Sequence, residues 1–104
     1  MINTDISIYV PVYNGEKTIE KCVNSILNQT LKPNKILIIN DCSSDNTLEI
    51  LKKYENKIKI HNNLKNYGVS YSRNFAVNLL KSRFVASIDA DVELDKMWLE
   101  SLYN

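Results

Sequence analysis

The stretch ISIYVPVYNGEKTIEKCVNSILNQ, residues 6–29, changes its hydrophobic period once, and that change decides the fold. Ile6 to Val10 is a short β-branched and aromatic run closed by Pro11. It reads as a strand whose end is set by a residue that cannot extend a central ladder. From Glu16 onward the period is helical, with Ile19, Val23, Ile26 and Leu27 recurring to about Gln29, after which Pro33 forbids simple continuation. A strand is thus followed by an amphipathic helix.

Working outward, the alternation repeats. Lys35 to Ile39 is a second apolar strand, and Leu48, Leu51, Lys52 and Tyr54 outline a second helix after Ser44-Asp45, either of which suits a cap. A weaker third strand spans Ile58 to His61, followed by the turn signal Asn62-Asn63 and a helix with the face Ser72, Phe75, Ala76, Leu79 and Leu80. Phe84 to Ile88 forms a fourth strand, and Trp98, Leu99 and Leu102 mark a final helix. Strands alternating with helices of this length predict an α/β fold. Parallel neighbours need crossover connections, so the sheet of about four strands is mainly parallel, Rossmann-like and covered by helices on both faces. No internal repeat, low-complexity tract or linker interrupts it, and residues 1–104 read as one domain.

The chain has 104 residues, a charged fraction of 24% and a net charge of +1, which fits one globular domain. A chain this short leaves roughly a third of its unfolded-state surface exposed after folding, so a missing partner segment would bear on stability. Charges of both signs are interspersed, without the basic footprint of a nucleic-acid binder, and no nucleic acid polymer is expected as a partner. The longest apolar run falls far short of the roughly 20 residues that cross a bilayer, and Met1-Ile2-Asn3-Thr4-Asp5 lacks a basic region followed by an apolar stretch. The expectation is a cytoplasmic protein without a transmembrane segment in this chain, membrane-peripheral only through parts of a full-length protein. Cys22 falls on the apolar face of the first helix and Cys42 in a polar loop. With His61 the single histidine, the pattern argues against both a structural disulfide and a zinc site.

In open α/β sheets ligands bind beyond the carboxyl ends of the strands. Four segments fall there: Pro11-Val12-Tyr13-Asn14-Gly15, Asn40-Asp41-Cys42-Ser43-Ser44-Asp45, Asn66-Tyr67-Gly68 leading to Arg73-Asn74, and Asp89-Ala90-Asp91. Phosphate cradles need several glycines, and Gly15 and Gly68 build neither a dinucleotide fingerprint nor a P-loop. A nucleotide diphosphate would instead be neutralised by a divalent metal on carboxylate oxygens. Asp89 and Asp91 fit, because alternate residues of an extended segment point the same way; such acids also cap helices or solvate loops. Asp41 suits a hydrogen bond from a base or ribose, or, with Ser43, the organisation of its own turn. Tyr13 suits stacking on a base or packing at a strand end. Arg73 suits a phosphate, or a solvated helix position beside an acid.

Taken in order, Val10-Pro11-Val12-Tyr13-Asn14, Ser25-Ile26-Leu27-Asn28-Gln29-Thr30, Asn40-Asp41-Cys42-Ser43-Ser44-Asp45-Asn46-Thr47, Asn66-Tyr67-Gly68 with Ser72-Arg73-Asn74, and Asp89-Ala90-Asp91 resemble family 2 glycosyltransferases. These are inverting enzymes with the GT-A fold, and the match covers almost the entire chain. The resemblance implies that Pro11, Val12 and Tyr13 line a nucleobase pocket, that Asp41 accepts from the base, and that Arg73 lies toward the base or diphosphate. It further implies Asp89 near the ribose and Asp91 as a direct ligand of Mn²⁺ or Mg²⁺ on the diphosphate. The sequence departs from the family at Asn40, where a second aspartate is common, at Cys42, where glycine is frequent, and at Val92, where a polar or acidic residue often follows. Family members also continue into an acceptor-binding part that supplies the catalytic base, commonly an Asp, and no residue here is nominated for it.

The function expected is donor binding in a metal-assisted, inverting transfer of sugar from a nucleotide diphosphate, UDP above all, to a saccharide or lipid acceptor. The alternative is a non-catalytic nucleotide-binding module or inactive fragment, stabilised by self-association. A phosphoacceptor signalling domain is disfavoured, because such domains gather carboxylates after the first strand, where this chain has Pro11-Val12-Tyr13.

Overall fold

Continuous apolar runs such as Leu37-Ile38-Ile39 have no polar face to offer water, so both their faces must be covered. The computed structural model, which describes residues 5–103, covers them; Met1 to Thr4, most of the N-terminal stretch expected to carry no targeting pattern, lie outside the described residues. The elements run β1 (Ile6–Val12), α1 (Ile19–Leu27), β2 (Ile36–Asn40), α2 (Thr47–Lys52), β3 (Lys59–Asn62), α3 (Val69–Leu80), β4 (Phe84–Ser87) and α4 (Trp98–Tyr103). The four strands form one sheet in the order β3-β2-β1-β4, and every pairing is parallel.

Alternation along β1 and β2 sends side chains to opposite faces. Ile8, Val10, Val12 and Ile38 join Ile19, Cys22, Val23 and Ile26 of α1 and Leu51 of α2 in one core, against which Val92, Leu94 and Trp98 pack. Tyr9, Leu37 and Ile39 meet Ala76 and Leu80 of α3 in a second core on the other face. The expectation of an α/β sheet with helices on both faces is met.

Two of the boundary shifts from the expectation have a clear physical reason. β1 runs through Pro11 to Val12, and Pro11 sits opposite Ile39 in a central strand. Tyr9 accepts from Ile88 N on the β4 side while Val12 accepts from Asp41 N on the β2 side. By alternation the nitrogen of Pro11 therefore faces β4, beyond the last β1–β4 pair, Tyr9 with Ser87. No ladder bond is lost, and the strand continues. The second difference lies before α1: residues 16–18 form a turn held by Thr18 N and Ile19 N on Gly15 O, and the helix proper starts at Ile19. Among the described residues no helix is long and apolar enough to cross a membrane.

Candidate functional site

The chain moves outward from β1 to β2 and β3, then returns across the sheet to place β4 on the other side of β1. That reversal makes the crevice beyond the carboxyl ends of β1 and β4 the topological switch point. Two of the four candidate segments open directly onto it.

After β4, Ile88 N donates to Tyr9 O at 3.0 Å, and the chain then turns, with Val92 N donating to Asp89 O at 3.0 Å. Asp89 and Asp91 are thus the first and third residues of a turn, not alternate residues of an extended segment as expected from spacing. The cause is that pairing to β1 has ended, while Val92 and Leu94 are drawn onto the core beside α1. Both aspartates are exposed. Among the described residues no hydrogen bond or ion pair engages either carboxylate, the ion pairs being Lys52–Glu49 and Lys53–Glu20. Their field reaches Cys22 beneath them. Burial first, then the Asp91 and Asp89 charges, push its thiol up to about 11. Unpaired carboxylates are the hard oxygen donors that Mn²⁺ or Mg²⁺ takes. Among the described residues no group of three His, Cys, Asp or Glu side chains gathers, so the pair fits such an ion only together with further oxygens.

On the other side of β1, a pocket of about 50 Å³ is lined by Pro11, Val12, Tyr13, Asp41, Gly68, Val69 and Ser72. It brings together four of the residues singled out in the sequence. A site for a small organic ligand is usually at least about 300 Å³, so this is one corner of a site open to solvent. Tyr13 stands at its mouth, 52% exposed, with a ring face available for stacking. Asp41, only 5% exposed, is strongly engaged. Its Oδ1 accepts from Asn63 Nδ2 at 2.9 Å and from Tyr67 N at 2.8 Å, and its Oδ2 accepts from Gly68 N at 2.9 Å. Burial alone would raise its pKa, but those hydrogen bonds outweigh burial and hold the carboxyl below its ordinary value of 3.8. A carboxylate offers about four acceptor positions, so Oδ2 keeps room for one more donor. The Ser72 hydroxyl lines the same pocket, is 1% exposed and has no hydrogen-bond partner. The sequence places Ser72 on a helix face and in the motif with Arg73 and Asn74, without a role of its own.

The sequence model of the family described as Glycosyl transferase family 2 matches residues 7–104. The chain belongs to glycosyltransferase family 2. It is 33% identical over 106 residues to glycosyltransferase GlyA of Streptococcus pneumoniae, covering 99% of this chain and 15% of that protein. It is 35% identical over 105 residues to a poly(ribitol-phosphate) beta-glucosyltransferase of Bacillus spizizenii, covering 95% of this chain and 17% of that protein. Among solved structures, S. aureus TarS in complex with UDP-GlcNAc superposes with a TM-score of 0.87 at 32% identity over 96% of this chain and 30% of its own. The fold is that of the N-terminal part of a GT-A glycosyltransferase, and the chain spans less than a third of these relatives.

In this family 2 chain the loops after β1 and β2 are sewn together by residues to which the sequence assigns at most a cap or a turn. Asn14 N donates to Ser43 Oγ at 2.9 Å, Ser44 N donates to Asn14 Oδ1 at 2.8 Å, and Gly15 N donates to Thr47 Oγ1 at 2.9 Å. Asp45 accepts from Glu16 N at 3.1 Å on Oδ2 and from Thr47 N and Thr47 Oγ1 at 2.9 and 2.5 Å on Oδ1. Burial works against this carboxylate, yet the Thr47 and Glu16 hydrogen bonds hold its pKa below 3.8. Of the two proposed caps of α2, Asp45 thus serves the first turn and Ser44 serves Asn14, while the capping position itself falls on Asn46. Gly15 is required here because a Cβ would lie 2.5 Å from Val12 Cγ2. Cys42, where the family favours glycine, has φ 62, a left-handed backbone that a glycine adopts freely.

Arg73 stands apart from the Asp41 corner. It is exposed on α3, makes no ion pair among the described residues, and lines a neighbouring groove of about 370 Å³ with Tyr9, Val69, Val77, Val85 and Ser87. The two hollows share Val69 as a wall. A cavity of about 320 Å³ lined by Lys35, Ile36, Lys59 and Leu80 lies at the opposite, amino-terminal end of the strands and belongs to neither.

Proposed function

We propose that this chain is the donor-binding part of an inverting sugar transferase that uses a nucleotide-diphosphate sugar, UDP-linked, with a saccharide or lipid as acceptor. The observation that carries the reading is the pair Asp89 and Asp91, carboxylates without a hydrogen-bond or ion-pair partner among the described residues, on a turn at the switch point across β1 from a pocket with a stacking ring and a held carboxylate. In this reading the base lies on Pro11 and Val12 against Tyr13, and its N–H meets the open position of Asp41 Oδ2. The Ser72 hydroxyl supplies a further hydrogen bond at the pocket floor, and Arg73 faces the diphosphate from α3. Asp89 lies near the ribose, and Asp91 holds a divalent cation. Bound Mn²⁺ or Mg²⁺ would supply positive charge that offsets the charge developing on the leaving diphosphate as the anomeric bond breaks. The binding of UDP-GlcNAc by the similar TarS supports a UDP-linked donor.

Calorimetry of the chain with UDP, in EDTA and in Mn²⁺, tests this. The expected result is an affinity that rises with Mn²⁺ in the parent chain and no longer does so in Asp91→Ala. Equal affinities in both media, or a rise that survives Asp91→Ala, refute the assignment.

A further inference from the structure

The motif Ser25 to Thr30 is singled out in the sequence without a role, and it spans the end of α1 and the residues just after it, not any strand end. Gln29, just beyond the helix, is 1% exposed. Its Nε2 donates to Ser25 O at 3.1 Å and to Asp95 O at 2.7 Å, and its Oε1 accepts from Leu99 N at 2.9 Å. The Ser25 hydroxyl donates to Cys22 O at 2.7 Å and accepts from Leu94 N at 2.9 Å. Thr30 N donates to Lys96 O at 2.9 Å, and Cys22 Sγ faces Asp89 O at 3.6 Å. Cys22 and Ser25 share one face of α1 at a spacing of three, and Gln29, four residues on, continues that line just past the helix end. Together they meet backbone groups of Asp89, Leu94, Asp95 and Leu99.

The segment from Ile88 to Met97 carries the acidic turn and has no helix or strand of its own. Its backbone groups must find partners, and α1 with the residues just after it provides them for Asp89 O, Leu94 N, Asp95 O and Lys96 O. The apolar contacts of Val92, Leu94 and Trp98 hold the segment against the core but are tolerant of sliding. Hydrogen bonds are directional, so Gln29 and Ser25 fix where along α1 the segment sits and thereby where Asp89 and Asp91 stand. We infer that Gln29, with Ser25, is a positioning residue for the carboxylate pair, so that the metal-dependent part of donor binding depends on a buried amide on the far side of the segment. This rests on the donor-site reading above.

The test uses Gln29→Met, which keeps side-chain length and apolar packing but removes the donor and acceptor, with Ser25→Ala as a second variant should the first not fold. UDP affinity is measured in EDTA and in Mn²⁺, beside the melting temperature. The metal-free affinity, set at the Asp41 corner, is expected to stay within about twofold, while the gain conferred by Mn²⁺ falls about 10- to 100-fold, the range for groups that orient metal ligands. A Mn²⁺ gain equal to that of the parent chain overturns the inference. So does a loss shared equally between metal-free and metal-dependent binding, the mark of general destabilisation. A parent chain with no Mn²⁺ gain, or one that Asp91→Ala leaves intact, overturns the donor-site reading and the positioning role together.

Discussion

Removing the Asp41 carboxylate should separate its structural work from its proposed contact with a base. In Asp41→Ala three donors lose their acceptor. Asn63 is 6% exposed and its Oδ1 already lacks a partner, so its orphaned amide carries the full desolvation cost, about 1–3 kcal/mol. Tyr67 N and Gly68 N lie on an exposed loop and regain water, leaving a net loss of about 0.5–1 kcal/mol each. The sum is about 3 kcal/mol, which for a domain of this size lowers the melting temperature by roughly 14 °C. The pH dependence follows from the depressed pKa. The folded-state value lies below 3.8, so the stabilisation is fully present above that and is lost as pH falls through the folded value. Urea unfolding followed by circular dichroism should show a gap between parent and variant that is constant from about pH 7 to pH 5 and narrows toward about pH 3. A gap below about 1 kcal/mol at neutral pH, or one that does not narrow in acid, refutes the assignment of Asp41 as the charged acceptor of this loop.

Gly15→Ala places a methyl 2.5 Å from Val12 Cγ2 in a packed strand, and should lower stability by about 1–3 kcal/mol in urea melts. Cys42→Gly relieves a left-handed cysteine at a cost of about 1–2 kcal/mol, but adds glycine's unfolded-state entropy of about 0.5–1 kcal/mol. The expected net is a stability equal to the parent or up to about 1 kcal/mol higher, and a clear loss would refute the strain argument. The two thiols should react in separate phases with an aromatic disulfide reagent at about pH 8. Exposed Cys42 reacts at once, whereas Cys22, buried and with its pKa pushed up to about 11, holds roughly one thiolate per thousand at that pH and waits for unfolding.

What the sequence revealed and what it hid divide along physical lines. Period 2 against period 3.6 is a local property, so each strand and helix was visible from its own residues, and so were the segments that end at the switch point. Local reasoning failed where a partner distant in sequence decided the outcome. Pro11 looked like a strand end because the pairing of β4 with β1 could not be foreseen, and that pairing stops at Tyr9 and leaves the proline nitrogen facing no partner. Asp89 to Asp91 looked extended for the same reason: the pull of Val92 and Leu94 onto α1 is a contact across most of the chain. Asp41 could be marked as an acceptor, but its donors Asn63, Tyr67 and Gly68 lie 22 to 27 residues away. Cys42 is the one strained position with a sequence trace, since it stands where the family favours glycine.

The two sides of the candidate site hang from different supports, and this has a consequence for how they fail. The Asp41 corner is carried by β1, β2 and the start of α3, and its hydrogen bonds close loops of 22 to 27 residues. The acidic turn is carried by α1 through bonds spanning 66 to 70 residues. β4 pairs with β1 over only Ile6 to Tyr9, and the segment beyond it has no ladder at all. Stability in a fold is not uniform, and segments with few ladder bonds open first. The 88–97 segment should therefore exchange its amide hydrogens sooner than β2 and β3, with Leu94 and Leu99, bonded to Ser25 and Gln29, the slowest within reach of the turn. A divalent cation held between Asp91 and inorganic pyrophosphate, which carries no base, would slow exchange there without touching the Asp41 corner. Protection that rises equally on both sides would mean that they are one cooperative unit, and the separation argued from their supports would be wrong.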